Sequence, residues 1–169
     1  MSEHSDFDFG GEIAWRPSPS DIERANLTAF MRAHAIDGFD ELMRRSTEDV
    51  AWFTDALLSW LDIRFDAPYS AVVDLSGGIA WPRWCVDGRM NIVSNCLDKR
   101  LGTPDAHRPA VIYEAEEGDV RTLTYAELHA EVGRAANALR ALGLGKGDAI
   151  GLFMPMTPEI VVALLAVAK

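Results

Sequence analysis

The stretch Leu123–Lys169, LTYAELHAEVGRAANALRALGLGKGDAIGLFMPMTPEIVVALLAVAK, decides the fold, because it reads in order as helix, loop, strand, loop and helix. Thr124 is placed to cap the amide of Glu127, and Glu127 to reach back to Thr124, as a capping box does. Leu128, Val132, Ala135, Ala136 and Leu139 recur at three- and four-residue spacing, while Glu127, Glu131, Arg134 and Arg140 fall mostly elsewhere. This predicts one apolar stripe with a solvated back. Gly143 stands where a left-handed helix end favours glycine, and Gly145, Lys146, Gly147 and Asp148 form a loop. Ala149 to Met154 carries no charge and stops at Pro155, which predicts a short strand buried on both faces. Thr157 as a cap, Pro158 at the first helical position and Glu159 near the positive end of the helix dipole open a further helix. Every residue from Ile160 to Ala168 is apolar. Such a helix belongs inside a larger domain, so the chain is expected to continue past Lys169.

Composition sets the outer bounds. The chain has 169 residues, 49% hydrophobic and 25% charged, enough for one substantial core. Its net charge of -10 repels nucleic-acid phosphates and anionic lipid, and no basic stripe offsets it, so neither nucleic acid nor membrane is an expected partner. The start, MSEHSDFDFGGE, has neither the basic residues nor the apolar run of a targeting peptide. The nine apolar residues at the other end are too few to span a bilayer. Two cysteines make no disulfide framework, and a cytoplasmic location is the expectation.

Upstream, residues 1–15 read as a mobile acidic arm. Ser18-Pro19-Ser20-Asp21 opens a helix with two overlapping caps, Ser18 with Asp21 and Ser20 with Glu23, whose buried face is Ile22, Ala25, Ala29, Phe30 and Ala33. Gly38 ends that region, and a short helix follows from Phe39 to Arg45. Ser46 or Thr47 is expected to cap a third helix, in which Val50, Phe53, Leu57, Trp60 and Leu61 repeat at helical spacing. Trp52 and Trp60 read as core rather than as an aromatic ligand box. From Asp62 to Met90, Pro68, Gly77, Gly78, Pro82 and Gly88 break the pattern into a long surface connection. Asn91 caps a helix carrying Ile92, Cys96, Leu97 and Leu101 that ends at Gly102. Ala110–Tyr113 and Val120–Leu123 then form a hairpin about Glu116-Glu117-Gly118-Asp119.

Each cluster with chemical potential favours a structural reading. GLGKGD has the glycines and lysine of a phosphate cradle, but Arg140 and Gly147 stand where that motif needs glycine and a hydroxyl residue. Its order, helix to strand, is also the reverse of a phosphate loop. Cys85, Cys96 and His107 are spaced too widely for a zinc site. His34 and His129 lie on predicted helices away from any nucleophile, and Glu114, Glu116, Glu117 and Asp119 gather at a solvated turn.

Three segments in order resemble the opening of the AMP-forming acyl-CoA synthetases of the adenylate-forming superfamily. The last is Leu123, Thr124, Tyr125, Glu127 and Leu128, followed by Gly147, Asp148, Met154, Pro155, Pro158 and Glu159. Before it, RMNIVSNCLDKRL, with Asn91, Asn95, Cys96, Leu97 and Asp98, is similar to the entry segment of the acetyl-CoA synthetase branch. Residues 18–61, with Ser46, Glu48, Trp52 and Phe53, resemble that branch's helical leader. The resemblance implies an α/β fold: a helical leader, then the first β-hairpin, helix, strand and helix of a larger layered adenylate-forming domain, truncated. Its segments are the acidic arm over 1–15, the leader and long connection over 16–104, and the incomplete AMP-binding domain over 105–169. It also implies a ligase that joins a small carboxylate to ATP as an acyl-adenylate, with magnesium, and passes the acyl group to coenzyme A. The phosphate loop, adenine contacts and catalytic lysine come later in such chains. No catalytic, cofactor-binding or metal residue is therefore assigned, and this chain alone is expected to be inactive with no ligand bound. The other reading is a free-standing interaction module that covers its apolar last helix by self-association or with another chain.

Overall fold

A computed structural model describes residues 13–169, so most of the acidic arm read over residues 1–15 lies outside the described residues. The chain divides into two compact units, one up to Leu61 and the other from Asp62.

The first unit is helical: α1 (Pro19–Arg24), α2 (Asn26–Ala33), α3 (Phe39–Glu48) and α4 (Val50–Trp60). Ser18 caps α1 as expected, its Oγ accepting from the Asp21 amide at 3.3 Å while Asp21 accepts from the Ser18 amide at 3.0 Å. The second cap does not form, because Glu23 is taken by Arg32 in two bonds of 2.7 and 2.6 Å. The single helix expected through Ala33 instead breaks at Ala25, where ψ is 135°. The Ile22 carbonyl accepts from the Thr28 hydroxyl at 2.6 Å, one of the local side-chain bonds that compete with helix geometry. The break redirects the buried face: Ile22, Ala29 and Ala33 are exposed, and the core is Phe30, Ile36, Leu42 and Ala56. Asp49 caps α4, accepting from the Trp52 amide at 2.9 Å. Ser46 and Thr47, expected in that role, lie inside α3 with their hydroxyls turned back to the Met43 carbonyl.

The second unit opens with a hairpin that the sequence reading missed. Strands β1 (Ala71–Asp74) and β2 (Arg83–Val86) pair antiparallel, with Val73 opposite Trp84, and an isolated bridge joins Ala67 to Arg89. Residues 62–90 are thus not a structureless connection. Gly88 is required where the chain closes, since a Cβ there would lie 2.9 Å from the Cys85 carbonyl oxygen. Helix α5 (Ile92–Cys96) stops short of the expected Gly102, because Leu97 leaves helical geometry at φ -122° as it enters the core, and a 3-10 turn follows over Asp98–Arg100.

Strands β3 (Pro109–Glu114) and β4 (Val120–Thr124) form the expected hairpin, which runs directly into α6 (Tyr125–Ala141). The Thr124 capping box is present: its Oγ accepts from the Glu127 amide at 3.2 Å, and Glu127 accepts from the Thr124 amide at 2.8 Å. Gly143 has φ 87°, the left-handed conformation read for it. Helix α7 (Pro158–Ala168) packs along α6, and the core is Val93, Leu97, Leu128, Val132, Ala136 and Ala166. Thr157 holds the N-cap position of α7 without a side-chain bond to the helix amides.

The strand expected over Ala149–Met154 is not formed, and its expected burial is not found. Leu152, Phe153 and Met154 are exposed, and no strand pairs with the segment among the described residues. A strand exists only through a ladder with a neighbour. The apolar pattern alone does not supply one.

Arg121 of β4 and Glu159 of α7 meet at 2.7 Å. The guanidinium hydrogen bond, with help from the Thr157 hydroxyl, lowers the Glu159 pKa from 4.5 to about 2. A carboxylate depressed in the folded state contributes stability that is complete above the unfolded value and lost as pH falls through about 2. Carboxyl carbon NMR should find Glu159 titrating in that low range, and Arg121→Ala should return it toward 4.5. Because both side chains are solvent-exposed, added salt should shift it the same way. In the core, Leu97→Ala should cost about 2–5 kcal/mol by urea denaturation. The exposed Leu142→Ala should change little.

Candidate functional site

The richest polar cluster surrounds α5, a helix of five residues. Val93 and Leu97 carry the segment's apolar side into the core, which leaves Asn91, Asn95 and Asp98 to meet polar partners from three other parts of the second unit. Asn91 caps α5 through its carbonyl oxygen, accepting from the Val93 amide at 2.8 Å. Its Nδ2 donates to the Ala168 carbonyl in the last turn of α7 at 3.1 Å. Asn95 is buried and clasps the backbone of Arg64: its Oδ1 accepts from the Arg64 amide at 2.7 Å and its Nδ2 donates to the Arg64 carbonyl at 2.8 Å. Asp98 holds the Lys169 ammonium at 2.8 Å from each carboxylate oxygen, with His129 Nε2 at 3.5 Å.

This cluster positions rather than reacts. Each amide and carboxylate is already engaged by a protein partner, and the nearest candidate nucleophile is weakened: burial, with the Asp98 charge nearby, pushes the Cys96 thiol up. On the far side of the 3-10 turn, Asp105 is shared by Arg100 at 3.2 Å and Arg108 at 3.1 Å, and the Arg108 bond leads in holding its carboxyl below the usual range.

The other sequence candidates fall into structural roles. In the GLGKGD loop the Gly145 amide donates to Asp148 at 2.7 Å, so the loop is a turn closed by its own aspartate. Cys85 lies in β2, Cys96 at the end of α5 and His107 at the end of a 3-10 turn, and both thiols are free. Among the described residues no three His, Cys, Asp or Glu side chains are grouped to hold a metal ion. His34 packs on Phe30 at 4.5 Å and edge-on to Trp52 at 5.8 Å. Trp52 carries the Arg45 guanidinium over its ring and Trp60 meets Phe30 edge-on, so both tryptophans are packing residues. Glu114, Glu116, Glu117 and Asp119 are exposed at the hairpin turn. No helix among the described residues is long and apolar enough to cross a membrane.

Comparison with known proteins bears on the same segments. The acetyl-coenzyme A synthetase N-terminus family matches residues 39–96, and the AMP-binding enzyme family matches residues 98–169. An acetyl-coenzyme A synthetase of Thiobacillus denitrificans is 38% identical over 90% of this chain and 22% of its own length. One from Mycobacterium tuberculosis is 41% identical over 76% of this chain and 20% of its own. The solved structure of an acetoacetyl-CoA synthetase from Streptomyces lividans superposes with a TM-score of 0.80 at 32% identity, over 91% of this chain and 24% of that one. The chain thus spans about a fifth of the length of the curated relatives it matches.

The sequence reads Asn91 as the cap of this helix, as found, and Asn95 and Asp98 only as parts of a motif. Their spacing within a short amphipathic helix was the available signal; their partners, 31 to 78 residues away, were not. Replacing Asn95 by Leu should leave the Arg64 amide and carbonyl unpaired against a buried side chain and cost about 2 kcal/mol or more in urea denaturation.

Proposed function

We infer, for a chain that belongs to the AMP-forming acyl-CoA synthetases and corresponds to their amino-terminal part, that it is the scaffold from which a carboxylate-CoA ligase is built. The observation that carries this reading is the order of the two family matches along the chain, leader over 39–96 and AMP-binding start over 98–169. In the whole protein a carboxylate oxygen attacks the α-phosphorus of ATP and pyrophosphate leaves. The deprotonated thiol of coenzyme A then attacks the acyl carbonyl of the adenylate, and AMP departs. The names of the relatives favour a short acid such as acetate or acetoacetate. ATP, magnesium and coenzyme A act in the remainder of the protein, which fits the structural occupation of the polar groups around α5. The expected segments, a leader to residue 104 and the AMP-binding domain from 105, remain our reading, supported by the junction of the two family matches between 96 and 98. A cytoplasmic location goes with it.

The reading is tested by ATP–pyrophosphate exchange with acetate and acetoacetate. The 169-residue chain should give none, and a chain extended through the following coding sequence should give carboxylate-dependent exchange. Exchange by the short chain would place catalytic groups where none is found; no exchange by the extended chain with any short acid would remove the assignment.

A further inference from the structure

We propose that the tip of the β1–β2 hairpin is a docking wedge for the part of the synthetase that follows Lys169. The inference rests on the assignment above and concerns a surface which that assignment leaves unexplained. Residues 75–84, LSGGIAWPRW, are exposed throughout. They present Leu75, Ile79, Trp81 and Trp84 to solvent, with Ile79 87% and Trp81 77% exposed. Their one charged side chain, Arg83, is drawn to Asp74 at 3.6 Å. A patch of large apolar groups with its charge turned aside marks a contact surface.

The tip is shaped rather than slack. The Gly78 amide donates to the Leu75 carbonyl at 2.8 Å, and the Trp81 amide donates to the Gly78 carbonyl at 3.0 Å. Two successive turns thus hold Ile79 and Trp81 at the apex. A two-stranded hairpin with an uncovered apolar face is marginal in water and gains stability when that face packs against further structure. The relatives supply the reason to name the occupant: this chain is about a fifth of their length, so most of the body against which such a face could be buried lies outside residues 1–169. An anionic lipid surface is disfavoured by the net charge of -10.

The test uses 5-fluorotryptophan incorporated into the 169-residue chain and into the extended enzyme, with Trp81→Phe assigning the resonance and a soluble gadolinium chelate reporting exposure. Trp81 should broaden strongly in the short chain and lose most of that broadening in the extended enzyme. In parallel, Trp81→Ser should leave the unfolding midpoint of the short chain nearly unchanged and speed thermal inactivation of the extended enzyme by about tenfold or more. Equal broadening of Trp81 in both chains overturns the proposal. So does protection in the short chain that grows with its concentration, which would assign the wedge to a second copy. Exchange activity of the extended chain is read separately, so failure of the ligase assignment and failure of the wedge are distinguishable.

Discussion

The second unit depends on how one buried amide is satisfied. Asn95 is the buried polar side chain among the described residues, and taking an amide from water is unfavourable unless donor and acceptor are both engaged. The Arg64 backbone meets both needs at 2.7 and 2.8 Å, in an arrangement that copies the exchange of bonds between two strand residues. The clasp fixes where the chain enters the second unit, and so where the hairpin starts. Shifted by one residue, the segment would offer a hydrogen-bonding side chain to the core or leave the Arg64 groups unpaired, which gives α5 a defined register despite its length of five residues.

From that register the rest follows outward. With Asn95 facing Arg64, Val93 and Leu97 face α6 and α7, and they are nearly inaccessible to solvent. Asn91 and Asp98, on either side, then reach the end of α7, one through the Ala168 carbonyl and the other through the Lys169 ammonium. A single short segment therefore ties together the entry to the first hairpin, the long helix that follows the second hairpin and the last helix. The amides, carboxylates and histidine of this region that resemble a site are thus the side chains that hold the elements in place.

How much of this was legible in the sequence follows from how far each cause extends along the chain. The Thr124–Glu127 and Ser18–Asp21 caps read correctly because both partners lie within four residues, and the β3–β4 hairpin because its turn is local. The assignment of the α4 cap failed by two or three residues, since Ser46, Thr47 and Asp49 are all competent and geometry chose the last. The first hairpin was invisible because the eight residues between its strands hide the pairing, and because Cys85 within β2 and Asp87 just after it take left-handed conformations that their residue types do not advertise. The α5 network was quoted as a motif without its meaning, since an asparagine in a helical run ordinarily reads as surface and only the fold reveals Arg64 behind it.

The misreading of Ala149–Met154 has a different origin. A hydrophobic pattern records the environment in which a segment is buried, whereas strand geometry requires a ladder partner to be present. In α7 the two agree in part: Ala166 and Pro158 are buried against α6 and its surroundings, while Leu164 and Val167 are left in solvent. In the preceding segment they disagree outright, with Phe153 fully exposed. Hydrophobic burial is non-directional, so a helix can satisfy its backbone alone and wait for a second apolar neighbour; a strand cannot, because its amides and carbonyls point outward. A hydrophobic pattern alone thus suffices for α7 as a helix but not for a strand over Ala149–Met154, which has no regular structure.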